Sequence, residues 1–60
     1  MKNQIEKYSV ELDRIDCLIK IYYEGSLLKA YDVKLHEMES KFNYYVDTIT
    51  EIVEKKRTLV

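Results

Sequence analysis

The chain contains no proline and one glycine, Gly25, so almost nothing in it forbids a helix that runs from one end to the other. Helical period is therefore the first pattern to seek. Ile5, Tyr8, Leu12, Ile15, Ile19 and Tyr22 step by three and four residues, and Leu28, Tyr31, Leu35, Met38, Phe42, Tyr45, Ile49 and Ile52 repeat the pattern. Such spacing lays one apolar stripe along a helix, where a half-buried strand would alternate.

Continued, the first run would place its next apolar position at Ser26, whereas the second run starts at Leu28. The register breaks on Glu24-Gly25-Ser26. Glycine accepts the left-handed conformation that ends a helix, and a serine hydroxyl can cap the next one. The fold class predicted is all-α, an antiparallel two-helix hairpin with helix 1 over about residues 2–24 and helix 2 over about 26–58. The alternative is one unbroken helix with a register skip at Gly25. Folding back at Gly25 matches Tyr22 with Leu28, Ile19 with Tyr31, Ile15 with Leu35, Leu12 with Met38, Tyr8 with Phe42 and Ile5 with Tyr45, so each seam position of helix 1 meets one in helix 2.

The two helices are unequal. At ~1.5 Å per residue helix 2 would run to about 45–50 Å and helix 1 to about 33 Å, which leaves Ile49, Ile52, Val53 and Leu59 without a partner in the chain. Burying such side chains stabilises by roughly 1.5–3 kcal/mol each. Val10, Cys17 and Ile21 form a second apolar stripe on the far side of helix 1, and Leu27, Val46 and Val53 flank the seam of helix 2. Widened apolar faces suit a four-helix bundle or coiled-coil assembly made of two hairpins.

Size points the same way, because one core of sixty residues is marginal without a disulfide, a metal or oligomerisation. A single cysteine, Cys17, and a single histidine, His36, supply neither of the first two. The chain is therefore expected to be a homo-oligomer, a dimer being favoured. Its predicted partner or oligomer interface comprises Val10, Cys17, Ile21, Ile49, Ile52, Val53 and Leu59, with Tyr23 and Tyr44 as aromatics that point away from the seam.

Charge narrows the function classes. The formal net charge is -1; residues 1–30 carry five basic and five acidic side chains, and residues 31–60 carry five and six. Neither half is the basic surface of a nucleic-acid binder or the acidic surface of a nucleic-acid mimic. Lys55-Lys56-Arg57 is the one basic run, and cations there complement a helix C-terminus. In a dimer two such ends would cluster, so nucleic-acid contact at Lys55, Lys56 and Arg57 is kept as a second reading. Plasmid copy-control proteins of similar shape offer an analogy of architecture.

Residues suited to catalysis do not form a recognisable set. His36-Glu37-Met38-Glu39-Ser40 lacks the second histidine of a zinc protease motif, since Ser40 stands one turn on. One glycine cannot make a phosphate loop, and Cys17 has no histidine near it in sequence. No cofactor or metal is expected, and no enzymatic activity.

Ser9-Val10-Glu11-Leu12-Asp13, followed by Leu18-Ile19 and Tyr22, is similar to the serine-x-Glu-Leu-Asp signature of the small sporulation-type aspartyl-phosphate phosphatases of bacilli. That resemblance covers less than a quarter of the chain. It implies a short helical hairpin that acts on response regulators, with Asp13 in the signature position. The family carries the signature on its second helix, whereas here it falls in the first half of the chain.

No apolar run reaches the length of a signal peptide or of a membrane span, so the expectation is a cytoplasmic protein with no membrane partner. The function expected is that of a non-enzymatic protein-protein interaction module, a small helical regulator, inhibitor or assembly factor of bacterial or phage type acting as an oligomer.

Overall fold

The computed structural model describes residues 2–58, and it is not the predicted helical hairpin. Four strands, β1 (Lys2–Ile5), β2 (Tyr8–Asp13), β3 (Leu18–Tyr23) and β4 (Ser26–Asp32), form one antiparallel sheet in the order β1-β2-β3-β4. A 3-10 turn at Leu35–Glu37 leads into a single helix, α1 (Met38–Thr58). Coiled coil, helical hairpin and four-helix bundle are all overturned by this sheet.

Alternation decides the first half of the chain. Tyr8, Val10 and Leu12 on β2 stand opposite Tyr23, Ile21 and Ile19 on β3, so one face of the sheet carries three cross-strand apolar pairs. β3 reads Leu-Ile-Lys-Ile-Tyr-Tyr, dense in the branched and aromatic side chains that fit a pleated surface. A helix through these residues would have turned Val10 and Ile21 away from the seam and Ile15 into it. In the sheet Val10 and Ile19 are both 0% exposed, while Ile15 is 93% exposed at the tip of the β2–β3 loop.

The turns supply the geometry that a meander needs. Glu24 (φ 50°) and Gly25 (φ 85°) are both left-handed, the requirement of a two-residue type I′ hairpin, whose twist matches that of its strands. Gly25 is therefore a turn residue, but between strands rather than helices. Glu6-Lys7 joins β1 to β2 with Glu6 at φ 54°. The longer β2–β3 loop is capped by Asp13, whose Oδ1 accepts from the amides of Ile15 at 3.0 Å and Asp16 at 3.1 Å, while Lys20 Nζ donates to its Oδ2 at 3.2 Å.

The helix covers the inward face of β1, β2 and β3. Met38, Phe42, Ile49 and Val53 recur at helical spacing and close the core formed with Val10, Leu12, Ile19 and Ile21. Four residues of the predicted intermolecular interface, Val10, Ile21, Ile49 and Val53, thus lie in the chain's own core. Ile49 and Val53 need no second molecule, because the sheet supplies the cover that a partner was expected to provide. Ile52 lies one step off this stripe and is exposed, and Leu59 lies outside the described residues.

Candidate binding site

In a four-stranded meander the first and third turns lie at the same end of the sheet, so Glu6-Lys7 and Glu24-Gly25 are neighbours. They are tied together: the Glu24 amide donates to the Lys7 carbonyl at 2.8 Å, and Lys7 Nζ pairs with Glu24 Oε1 at 3.3 Å. The hydrogen bond to Glu24 raises the pKa of Lys7 above its ordinary value.

Just inside these turns, Tyr8 and Tyr23 are cross-strand partners whose rings meet edge to face, with centroids 4.8 Å apart. The last turns of α1 pass over them. Val53 contributes a buried apolar floor, Lys56 Nζ donates to Tyr8 Oη at 3.4 Å and stands 5.7 Å from the Tyr8 ring centroid, and Arg57 pairs with Glu6. Glu6, Lys7, Tyr8, Tyr23, Val53 and Lys56 line a half-open cavity of about 300 Å³.

Charge around the cavity is sorted into pairs with one remainder. Glu6 is matched by Arg57 and Glu24 by Lys7, whereas the Lys56 ammonium meets a phenol and no carboxylate among the described residues. The cavity therefore presents an apolar floor, aromatic walls and one cation that no carboxylate of the described residues neutralises.

Comparison with protein-family models, with curated proteins and with solved structures gives no match. What the chain does must be argued from its own surfaces.

A second surface is the sheet face that α1 does not cover. Leu27 stands opposite Tyr22, and the register shift between Ile21 and Tyr22 leaves Leu28 as the extra residue of a bulge in β4. Leu27 is 55% exposed and Leu28 58% exposed. Solvent-facing sheet surfaces are ordinarily polar; this one carries Glu11 and Lys20 as cross-strand partners, but Leu18 and Ala30 share the face with Tyr22 and Leu27.

The remaining residues anticipated from sequence are scattered. Cys17 is half-buried in the β2–β3 loop at φ 55°, with its carbonyl accepting from the Val33 amide at 3.1 Å. Tyr44 is exposed on α1, edge to face with Tyr45 at 5.3 Å. Tyr23 lines the cavity instead of projecting from a helix. Lys55 is exposed on the last turn, while Lys56 and Arg57 are engaged with Tyr8 and Glu6. Glu6, Lys7, Tyr8 and Glu24 escaped notice as a group because they meet only through strand pairing, which helical spacing does not reveal.

Among the described residues no three or more histidine, cysteine, aspartate or glutamate side chains come together as a metal site. No helix among them is long and apolar enough to cross a membrane. Asp13, the aspartate of the phosphatase-like signature, lies in a strand-and-loop setting with both carboxylate oxygens engaged by the chain itself, not on a helical hairpin.

Proposed function

We propose that the chain is a non-enzymatic, cytoplasmic protein-interaction module that associates with a second copy of itself through the bare face of its sheet. The observation that carries this reading is the exposure of Leu27, opposite Tyr22 on the face with no covering layer in the described chain, with Leu28 exposed next to it at the bulge. Two leucines left half in water forgo a large part of the roughly 1.5–3 kcal/mol that burial of each would contribute, in a domain too small to be generously stable.

Association by strand pairing along the β4 edge is opposed by the bulge and by Lys29, both of which blunt an edge against addition of another strand. Packing of two copies at the β4 corner of the bare face, where Leu27 and Leu28 adjoin Tyr22 beside the β3–β4 turn, uses the apolar patch without that obstacle and leaves the Glu11 and Lys20 pair of the central strands to border the contact. The nucleic-acid reading loses ground, since Arg57 is paired with Glu6 within the chain and Lys56 lies over the Tyr8 ring, so the three cations do not form one free cluster.

Sedimentation equilibrium tests the proposal. The unmodified chain should sediment as a dimer at micromolar concentration, and the double substitution Leu27→Ser with Leu28→Ser should return it to monomer with its circular dichroism unchanged. A chain that remains monomeric, or a double variant that still dimerises, would overturn it.

A further inference from the structure

We propose that the cavity between Tyr8, Tyr23 and Val53 binds a small aromatic carboxylic acid, its ring against the tyrosines and its carboxylate on Lys56. This site is separate from the bare sheet face and does not depend on self-association.

Size limits the ligand first. About 300 Å³ is at the lower bound of cavities that hold small molecules, enough for one ring and a short acidic arm. The walls then select its body. Tyr8 and Tyr23 meet edge to face and Val53 closes the floor, so a planar apolar group finds ring surface on one side and a branched aliphatic side chain on another.

The acid is specified by hydrogen-bond capacity as well as charge. Lys56 donates one N–H to Tyr8 Oη and keeps two others; Tyr8, accepting from Lys56, retains its own phenolic hydrogen for a further acceptor. One carboxylate can therefore take a charge-assisted bond from the ammonium and a second bond from the phenol. A cationic ligand is disfavoured by Lys56, and the two nearby carboxylates are already paired with Arg57 and Lys7. The turn-to-turn ties between Lys7 and Glu24 hold the two tyrosine-bearing strands in place before a ligand arrives, which lowers the entropy cost of binding.

The experiment is an amide-resolved NMR titration of the full chain with 3-phenylpropionate, and with 3-phenylpropanamide as the neutral analogue. The acid should give saturable shifts centred on Glu6, Lys7, Tyr8, Tyr23, Val53 and Lys56, and the neutral analogue should bind about tenfold more weakly or worse. Lys56→Gln should weaken the acid by a similar factor, and Tyr8→Phe by less, while Lys55→Gln, which alters an exposed cation outside the cavity, should leave it unchanged. Should Lys56→Gln perturb folding, the two ligands on the unmodified chain still decide the matter. Equal affinity for acid and amide, shifts located elsewhere, or no saturable shift would overturn the proposal.

Discussion

Tyr31 on β4 stacks on Tyr45 of α1, with ring centroids 4.7 Å apart and planes 13° from parallel. β4 is the sheet edge farthest from the helix, and this stack is its aromatic link to the second layer. Burial raises the pKa of the Tyr45 phenol above its ordinary value, as removal of a hydroxyl from water should. Replacing either ring by alanine should cost about 1–3 kcal/mol, and the double-mutant cycle should return a coupling of about 0.5–1.5 kcal/mol. Urea unfolding of the four variants measures it, and additive losses would show that the stack is incidental.

Ile15 and Ile19 separate the sheet from the helical hairpin most directly. The seam of a hairpin would bury both, whereas the sheet leaves Ile15 in solvent and encloses Ile19. Ile19→Ala should therefore destabilise by about 2–5 kcal/mol, and Ile15→Ala should stay within about 0.5 kcal/mol of the unmodified chain. Comparable losses at the two positions would contradict the fold.

Gly25 carries a conformational requirement and no steric one. Its φ of 85° is strained for residues with a side chain, yet a Cβ there would meet nothing within 4 Å. Gly25→Ala should cost about 1 kcal/mol, and Gly25→Asn less, because asparagine tolerates the left-handed region better. Thermal unfolding of the two variants should rank them in that order.

Asp13 gives stability an acid limb. The amide of Asp16 and the ammonium of Lys20 both favour its charged form, so its carboxyl has a lower pKa in the folded chain than in the unfolded one. A depressed carboxyl contributes stability that is present above its unfolded pKa and lost as pH falls through its folded value. Unfolding midpoints should therefore decline below the ordinary aspartate range. Asp13→Asn, which keeps a side-chain oxygen for the turn but loses the charge, should be less stable near neutrality and should show a shallower decline. An unchanged acid limb in that variant would remove Asp13 from the account.

Of the helix predicted over about residues 26–58 only Met38–Thr58 is helical; Leu28, Tyr31 and Leu35 keep the same step as Met38, Phe42, Tyr45 and Ile49, yet residues 26–32 pair with β3 as strand β4. A chain break at Gly25 was readable. Residues 5–23 were ambiguous for a physical reason: Tyr8, Leu12 and Ile19 belong to the three-and-four series and also to the alternating series Tyr8, Val10, Leu12 and Ile19, Ile21, Tyr23. Counting apolar steps favoured the helical series. The β-prone composition of β3, and the burial of Val10 and Ile21 that a helix would have turned away from the seam, favoured the other.

By itself the sequence determined a breaker-poor chain with an amphipathic helical pattern toward its C-terminal end and a register break at Gly25. Only the tertiary structure decided that the first half is sheet, because strand pairing stabilises each segment through neighbours distant in sequence, and α1 rewards whichever arrangement presents Val10, Leu12, Ile19 and Ile21 on one face. The cavity beneath Lys56 belongs to the same decision. Tyr8, Tyr23, Val53 and Lys56 lie up to forty-eight residues apart in the chain and become a site only when the two turns and the end of the helix converge.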